Sequence, residues 1–383
     1  MKTDNTAMES PEDLTIWAFF HMYSEDDRER AGKAFINEKD SVMTGKENRS
    51  RRIVPRSFVF FAGIFSLITA GALSVTQVAR LEPSDKAALA VALLVKAELG
   101  EEIWPGFGRA DIPAIIYDEA FEYLVGDPNP PEPWRAVDGD DFLGKSYFRR
   151  PTEHPQSFAV DLGSRWAGSL SALSQMTRKI PWKLGPDWWS VGLIHEMFHA
   201  FQAESAPEAF AAARAVYALE SRYPFKDKDF AADWNAEGAA LSKAMKMPGG
   251  EELKNAAAAF LGMRDARRAK AGLSAELIGY ERRLEWLEGL GKYAEIRADE
   301  LAVGRSDQAA YGAFRSGLHF LVRADFARLE NALGRQDGDL RFYLSGMAMG
   351  RMLDRLDPAW KNKVLKENVM IEDLLRRAGY ERP

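Results

Sequence analysis

An α+β fold is predicted: a small mixed or antiparallel sheet beside one motif-bearing helix, then a mostly helical C-terminal half. Three observations predict it. Short runs rich in β-branched and aromatic residues cluster between residues 112 and 161. From residue 187 onward almost every segment places Ala, Leu, Glu, Arg and Met at helical spacing. Between these two regions stands His195-Glu-Met-Phe-His199, with apolar Leu193, Ile194, Met197, Phe198 and Phe201 around it. A helix apolar on most sides is a buried helix, and strands followed by helices segregate into an α+β arrangement.

Taken in order, residues 1–50 are charged, with one aromatic patch at 17–23, and are expected to form a disordered extension. Residues 48–56 are basic, and residues 57–78 (SFVFFAGIFSLITAGALSVTQV) carry no charge. A basic flank, an apolar core and a small-residue exit are the parts of a secretory signal. The same run is long enough to span a bilayer, with its basic flank inside. Residues 51–80 are therefore expected to be a signal peptide or a single membrane anchor, with membrane association through 57–78. The remainder would then be exported to the periplasm or another extracytoplasmic space. Met43 would make a conventional start for such a signal, leaving 1–42 as an upstream extension; the alternative is a cytoplasmic segment before an anchor.

Residues 82–383 are expected to form one domain, α/β over 82–186 and helical over 187–383. A helix over 82–103 begins near Pro83 and ends by the turn at 104–108. Strands follow at 112–117 and 120–125, a Pro-rich loop at 127–133, and strands at 146–148 and 157–161. The last is a candidate edge for pairing with an extended peptide. Helices are expected at 187–204, 207–221, 229–246, 251–270, 274–299, 308–333 and 340–356, with a short one at 370–378. Trp104, Trp188 and Trp189 are expected in the core, as are Met347, Met349 and Met352, which follow helical spacing.

Composition narrows the chemistry. The 383-residue chain has a net charge of −6 with both signs mixed, and no basic stripe suggests nucleic acid as a partner. It has no Cys, which removes disulfides, thiol catalysis and Cys-rich zinc sites. It has five His, two of them in the motif.

On a helix, residues four apart lie on the same face. His195 and His199 can thus turn ring nitrogens toward one Zn²⁺, with Glu196 beside them placed to take a proton from water. A catalytic zinc site wants three protein ligands and an open position. No His follows the motif closely, so the third ligand is expected to be a carboxylate on a later helix: Glu288, Glu237 or Glu295. Glu281, Glu285 and Glu288 share a face, and stacked carboxylates call for a cation or Arg partners.

The motif helix together with Glu288-Gly-Leu-Gly-Lys-Tyr293 resembles the gluzincin metallopeptidases, in which a helical Glu completes the site. The resemblance implies a zincin-like fold and metal-ligand roles for His195, His199 and Glu288, with Glu237 as the alternative third ligand. It also implies that Glu196 acts as general base, and that the loser of Glu288 and Glu237 orients a His ring from behind. A wider likeness, from residue 90 to 380, is to poorly characterised exported bacterial zinc proteins; it says little about substrate. An oxyanion donor is also required, and the candidates are Tyr293, Tyr311, His319 and Tyr343, with Tyr343 preferred.

The expectation is a zinc metallopeptidase of the cell envelope acting on a peptide or protein. The alternatives are a zinc hydrolase of another amide or ester, a non-catalytic metal-binding envelope protein, and a metal-free helical interaction protein.

Overall fold

The computed structural model describes residues 79–380 except 154, 180–184, 316–317, 336–338 and 367–368. The expectations for residues 1–50 and for the apolar run at 57–78 lie outside the described residues. Six strands form one mixed sheet: β1 (Ala114–Tyr117), β2 (Phe121–Val125), β3 (Arg135–Ala136), β4 (Phe148–Pro151), β5 (Phe158–Asp161) and β6 (Trp166–Ser171). Their order is β3-β4-β2-β1-β6-β5.

The β1–β2 hairpin turns at Asp118, whose Oδ1 accepts the N–H groups of Ala120 and Phe121 at 2.7 and 2.8 Å. β1 runs parallel to β6, and β6 runs antiparallel to the edge strand β5. The sequence reading left out β6, which is the strand that seats the motif helix. A Cβ on Gly168 would stand 2.6 Å from the Met197 backbone nitrogen. Close approach of the helix therefore demands a glycine at 168, where a strand usually advertises itself with a β-branched residue.

The helices are α1 (Pro83–Ile103), α2 (Leu173–Lys179), α3 (Pro186–Ser205), α4 (Pro207–Ala215), α5 (Lys228–Met245) and α6 (Glu251–Lys270). They continue as α7 (Ala275–Val303), α8 (Leu318–Asn331), α9 (Leu340–Leu356), α10 (Trp360–Lys366) and α11 (Ile371–Tyr380). Proline opens α1, α3 and α4, where its missing N–H costs nothing. Asp227 and Ser274 cap α5 and α7 with their side-chain oxygens. The helix expected at 207–221 changes to a 3₁₀ helix at Val216–Arg222, and the one expected at 308–333 starts with a 3₁₀ turn, Ala309–Arg315. The short helices α2 and α10 offer too few turns to show a period, and the sequence reading missed both.

Helix α7, 29 residues long, is buried through its middle. It crosses α9 at a glycine pair: a Cβ on Gly289 would lie 2.5 Å from the Gly346 Cα. Glu281 and Glu285 of α7 find the Arg partners that their stacking called for. Arg264, Arg267 and Arg268 of α6 bind Glu281, Glu285, Glu237 of α5 and Glu372 of α11 in one buried network. Trp104, Trp189 and all three methionines are core, while Trp188 packs at its margin. Residues from Arg80 onward belong to one unit. Among the described residues no helix is long and apolar enough to cross a membrane.

Candidate metal centre

The motif lies in the buried centre of α3, where α3 meets α7. His195 and His199 project from consecutive turns and meet edge to face, with ring centroids 4.8 Å apart. From α7, Glu288 points its Oε2 between them, 3.2 Å from His199 Nε2 and 3.5 Å from His195 Nε2. Donor atoms of all three residues lie within 4.8 Å of one another, and all three side chains are buried. Space for the His195 ring is left by Gly291, where a Cβ would lie 2.8 Å from Nε2. The two glycines of Glu288-Gly-Leu-Gly291 therefore have separate tasks: one admits α9, the other admits an imidazole.

The second nitrogen of each ring is engaged. His195 Nδ1 lies 3.1 Å from Glu295 Oε2, and His199 Nδ1 lies 2.8 Å from Gln202 Oε1. Gln202 donates its own Nε2 to the carbonyls of Trp286 and Leu287, which leaves its oxygen to accept from His199. Glu295 is braced in turn by Lys292 at 2.7 Å, and Lys292 reaches Asp325 at 2.6 Å. Both rings thus carry hydrogen on Nδ1 and turn Nε2 toward one carboxylate oxygen.

Charge follows this geometry. Burial pushes the His195 imidazole down, but Glu288 and Glu295 reverse it and bring it to about 10. Burial raises Glu288, yet His199 and His195 hold it well below the usual carboxylate range. Glu295 is likewise raised by burial and brought to about 2 by Lys292 and His195. Glu196, half-buried between the two His, is pushed up to about 7 chiefly by burial, with His195 and His199 opposing.

Two tyrosines and an aspartate close the far side. Tyr343, near the start of α9, stacks on the His195 ring at 5.5 Å and 16°. Burial and then Glu288 raise its hydroxyl well above its ordinary value. Tyr217, in the 3₁₀ helix, lies 2.7 Å from Glu288 Oε1 and 2.9 Å from Asp339 Oδ2. Asp339 is pushed up to about 7 by burial and by Glu288. Phe158 of β5 covers His199, with ring centroids 4.5 Å apart.

The structure thus brings His195, Glu196, His199, Glu288 and Tyr343 together. Glu237 stands apart: its carboxylate is taken by Arg264 at 3.2 Å and Arg267 at 2.5 Å, so it neither joins the cluster nor orients a His ring. That orienting position belongs to Glu295, one of the three carboxylates weighed as a ligand, and to Gln202. The latter was readable in principle, because i, i+3 pairs meet on a helix. Tyr217 and Asp339 carried no pattern in the sequence. Tyr293 and Tyr311 are committed elsewhere, to Asp354 and Glu98, and the His319 side chain lies outside the described residues. No protein-family model, curated protein or solved structure matches the chain.

Proposed function

We propose that the chain is a zinc-dependent metallopeptidase of the zincin type, with His195, His199 and Glu288 as metal ligands and Glu196 as general base. One observation carries the metal. With the Nδ1 of each ring held outward, both Nε2 atoms and a Glu288 oxygen converge within 4.8 Å in a buried spot; without metal the raised His195 proton bridges to Glu288, and a divalent cation would take its place. The spacing suits it: four ligands about 2.0–2.2 Å from a tetrahedral zinc stand roughly 3.3–3.6 Å from each other, against 3.2 and 3.5 Å here. Zn²⁺ bound there would make water acidic enough to ionise near neutral pH and polarise the scissile carbonyl.

The chain's own residues supply the rest. Glu196 takes the proton of the attacking water and hands it to the leaving amine. Tyr343, stacked on His195, is the donor for the oxyanion. A peptide substrate is favoured because the strand beside the site, β5, is a sheet edge whose Phe158 touches His199; an extended chain can add to such an edge. The cell-envelope placement rests on the apolar run at 57–78. The test is metal content and peptide hydrolysis measured together. The native chain should hold about one Zn²⁺, Glu288→Ala should lose it, and Glu196→Gln should keep it while losing hydrolysis. A Glu196→Gln chain that hydrolyses peptide at the native rate removes the mechanism; a native chain that binds no divalent metal removes the whole reading.

A further inference from the structure

A cavity of about 440 Å³ is lined by Met245, Tyr293, Arg297, Arg351, Asp354, Arg355 and Lys361. It lies on the other face of α7 from the metal cluster. At 100° per residue, Tyr293 and Arg297 point away from Glu288 and Glu295. Its walls come from α7, α9 and α10, and from the end of α5. Tyr293, its one aromatic lining residue, is backed by Trp104 and Trp360, which it meets edge to face.

The charges there do not balance. Four cations face two carboxylates, Asp354 in the lining and Glu300 behind Arg351. Glu300 is occupied by both arms of Arg351, at 2.6 and 2.8 Å, and by Arg297 at 3.1 Å. Asp354 accepts from the Tyr293 hydroxyl and from Trp360 Nε1 at 3.0 Å, with Lys361 at 3.9 Å. Arg355 and Lys361 instead donate to neutral carbonyls: Arg355 to Met245, Met247 and Arg351, Lys361 to Ile103. Carbonyls satisfy hydrogen bonds but leave the charge, and a net excess of two positive charges remains at the cavity. Lys361 registers it. Burial is the main cause pushing its amine down to about 8, with Arg297 and Arg351 adding to the fall against Asp354.

We propose that this cavity binds a compact oxyanion carrying two negative charges, the phosphate group of a small ligand, on Arg297, Arg351, Arg355 and Lys361. Cationic N–H donors bind phosphate oxygens more strongly than the neutral carbonyls that Arg355 and Lys361 now hold, and a phosphate near neutral pH carries close to the two charges that are missing. The volume falls in the range of small-molecule sites. The site is independent of the metal chemistry and stands or falls without it.

Calorimetric titration of the full-length chain with inorganic phosphate at constant ionic strength tests this. One phosphate per chain should bind, with acetate weaker by about tenfold. Lys361→Gln and Arg297→Gln should each weaken phosphate by about tenfold, the effect of one lost charge-assisted bond, while zinc content and circular dichroism stay unchanged. If Lys361→Gln fails to fold, the part-exposed Arg297 decides. Absence of saturable binding overturns the proposal, and so does acetate as tight as phosphate. Binding that survives both cavity variants but disappears in Glu288→Ala would put the anion at the metal site and overturn it as well.

Discussion

Glu295 is the residue whose role the spacing disguised. It sits two turns beyond Glu288 on the same face of α7, yet holds the outer nitrogen of His195 and not the inner one. A carboxylate behind a ligating imidazole fixes its tautomer and raises its basicity. Glu295→Gln should therefore bind zinc about 10- to 100-fold more weakly, read by competition with a chromogenic chelator. Gly291→Ala is a steric counterpart. Its methyl group would lie 2.8 Å from His195 Nε2, so zinc affinity should fall by about tenfold or more while the circular dichroism spectrum is kept. An alanine variant with native affinity would show that the ring has room to move. His195, Glu196 and His199 were legible in the sequence because the four-residue spacing is the geometry. Glu288 was legible through its Glu-Gly-Leu-Gly setting. Tyr217 and Asp339 were not, because tertiary contact alone brings Tyr217 to Glu288, 71 positions on, and to Asp339, 122 positions on.

Helices α5, α6, α7 and α11 are held by ion pairs where a core normally uses aliphatic groups. Breaking a buried pair strands a charge and costs about 3–5 kcal/mol. Glu237→Ala, which takes one carboxylate from both Arg264 and Arg267, should lower stability by that amount in urea denaturation, with zinc content unchanged. A loss of metal would return Glu237 to the site. Burial raises the Glu281 carboxyl, but Arg267 and Arg268 overcome it and hold it at about 2, below its ordinary 4.5. A depressed carboxylate contributes stability that is complete above the unfolded value and lost as pH falls through the folded one. Urea midpoints should thus fall between pH 5 and pH 2, with a shallower fall in Glu281→Gln. The long helices were readable because each runs for several turns of regular period. Strand β6 and helices α2 and α10 were not, the first because close packing stripped it of bulky residues, the others because seven residues hold barely two turns.

For the whole molecule, the candidate centre ties the sheet-side helix α3 to α7 across 89 positions of chain. A ligand that binds only the folded state adds RT ln(1 + [L]/Kd), about 2.7 kcal/mol at a hundredfold excess over Kd. Stripping the native chain with a chelator should lower its thermal midpoint, and zinc should restore it. Glu288→Ala should respond to neither treatment. The glycine contacts carry a consequence of another kind, for recognising distant kin. Gly168 lets α3 onto the sheet, Gly289 and Gly346 let α7 meet α9, and Gly291 admits an imidazole. A chain that builds the same centre therefore needs more than two histidines and a glutamate. It needs small residues at those four places, a glutamine one turn past the second histidine, and a second glutamate seven positions past the first. That combined pattern could identify a relative whose overall sequence has drifted beyond detection.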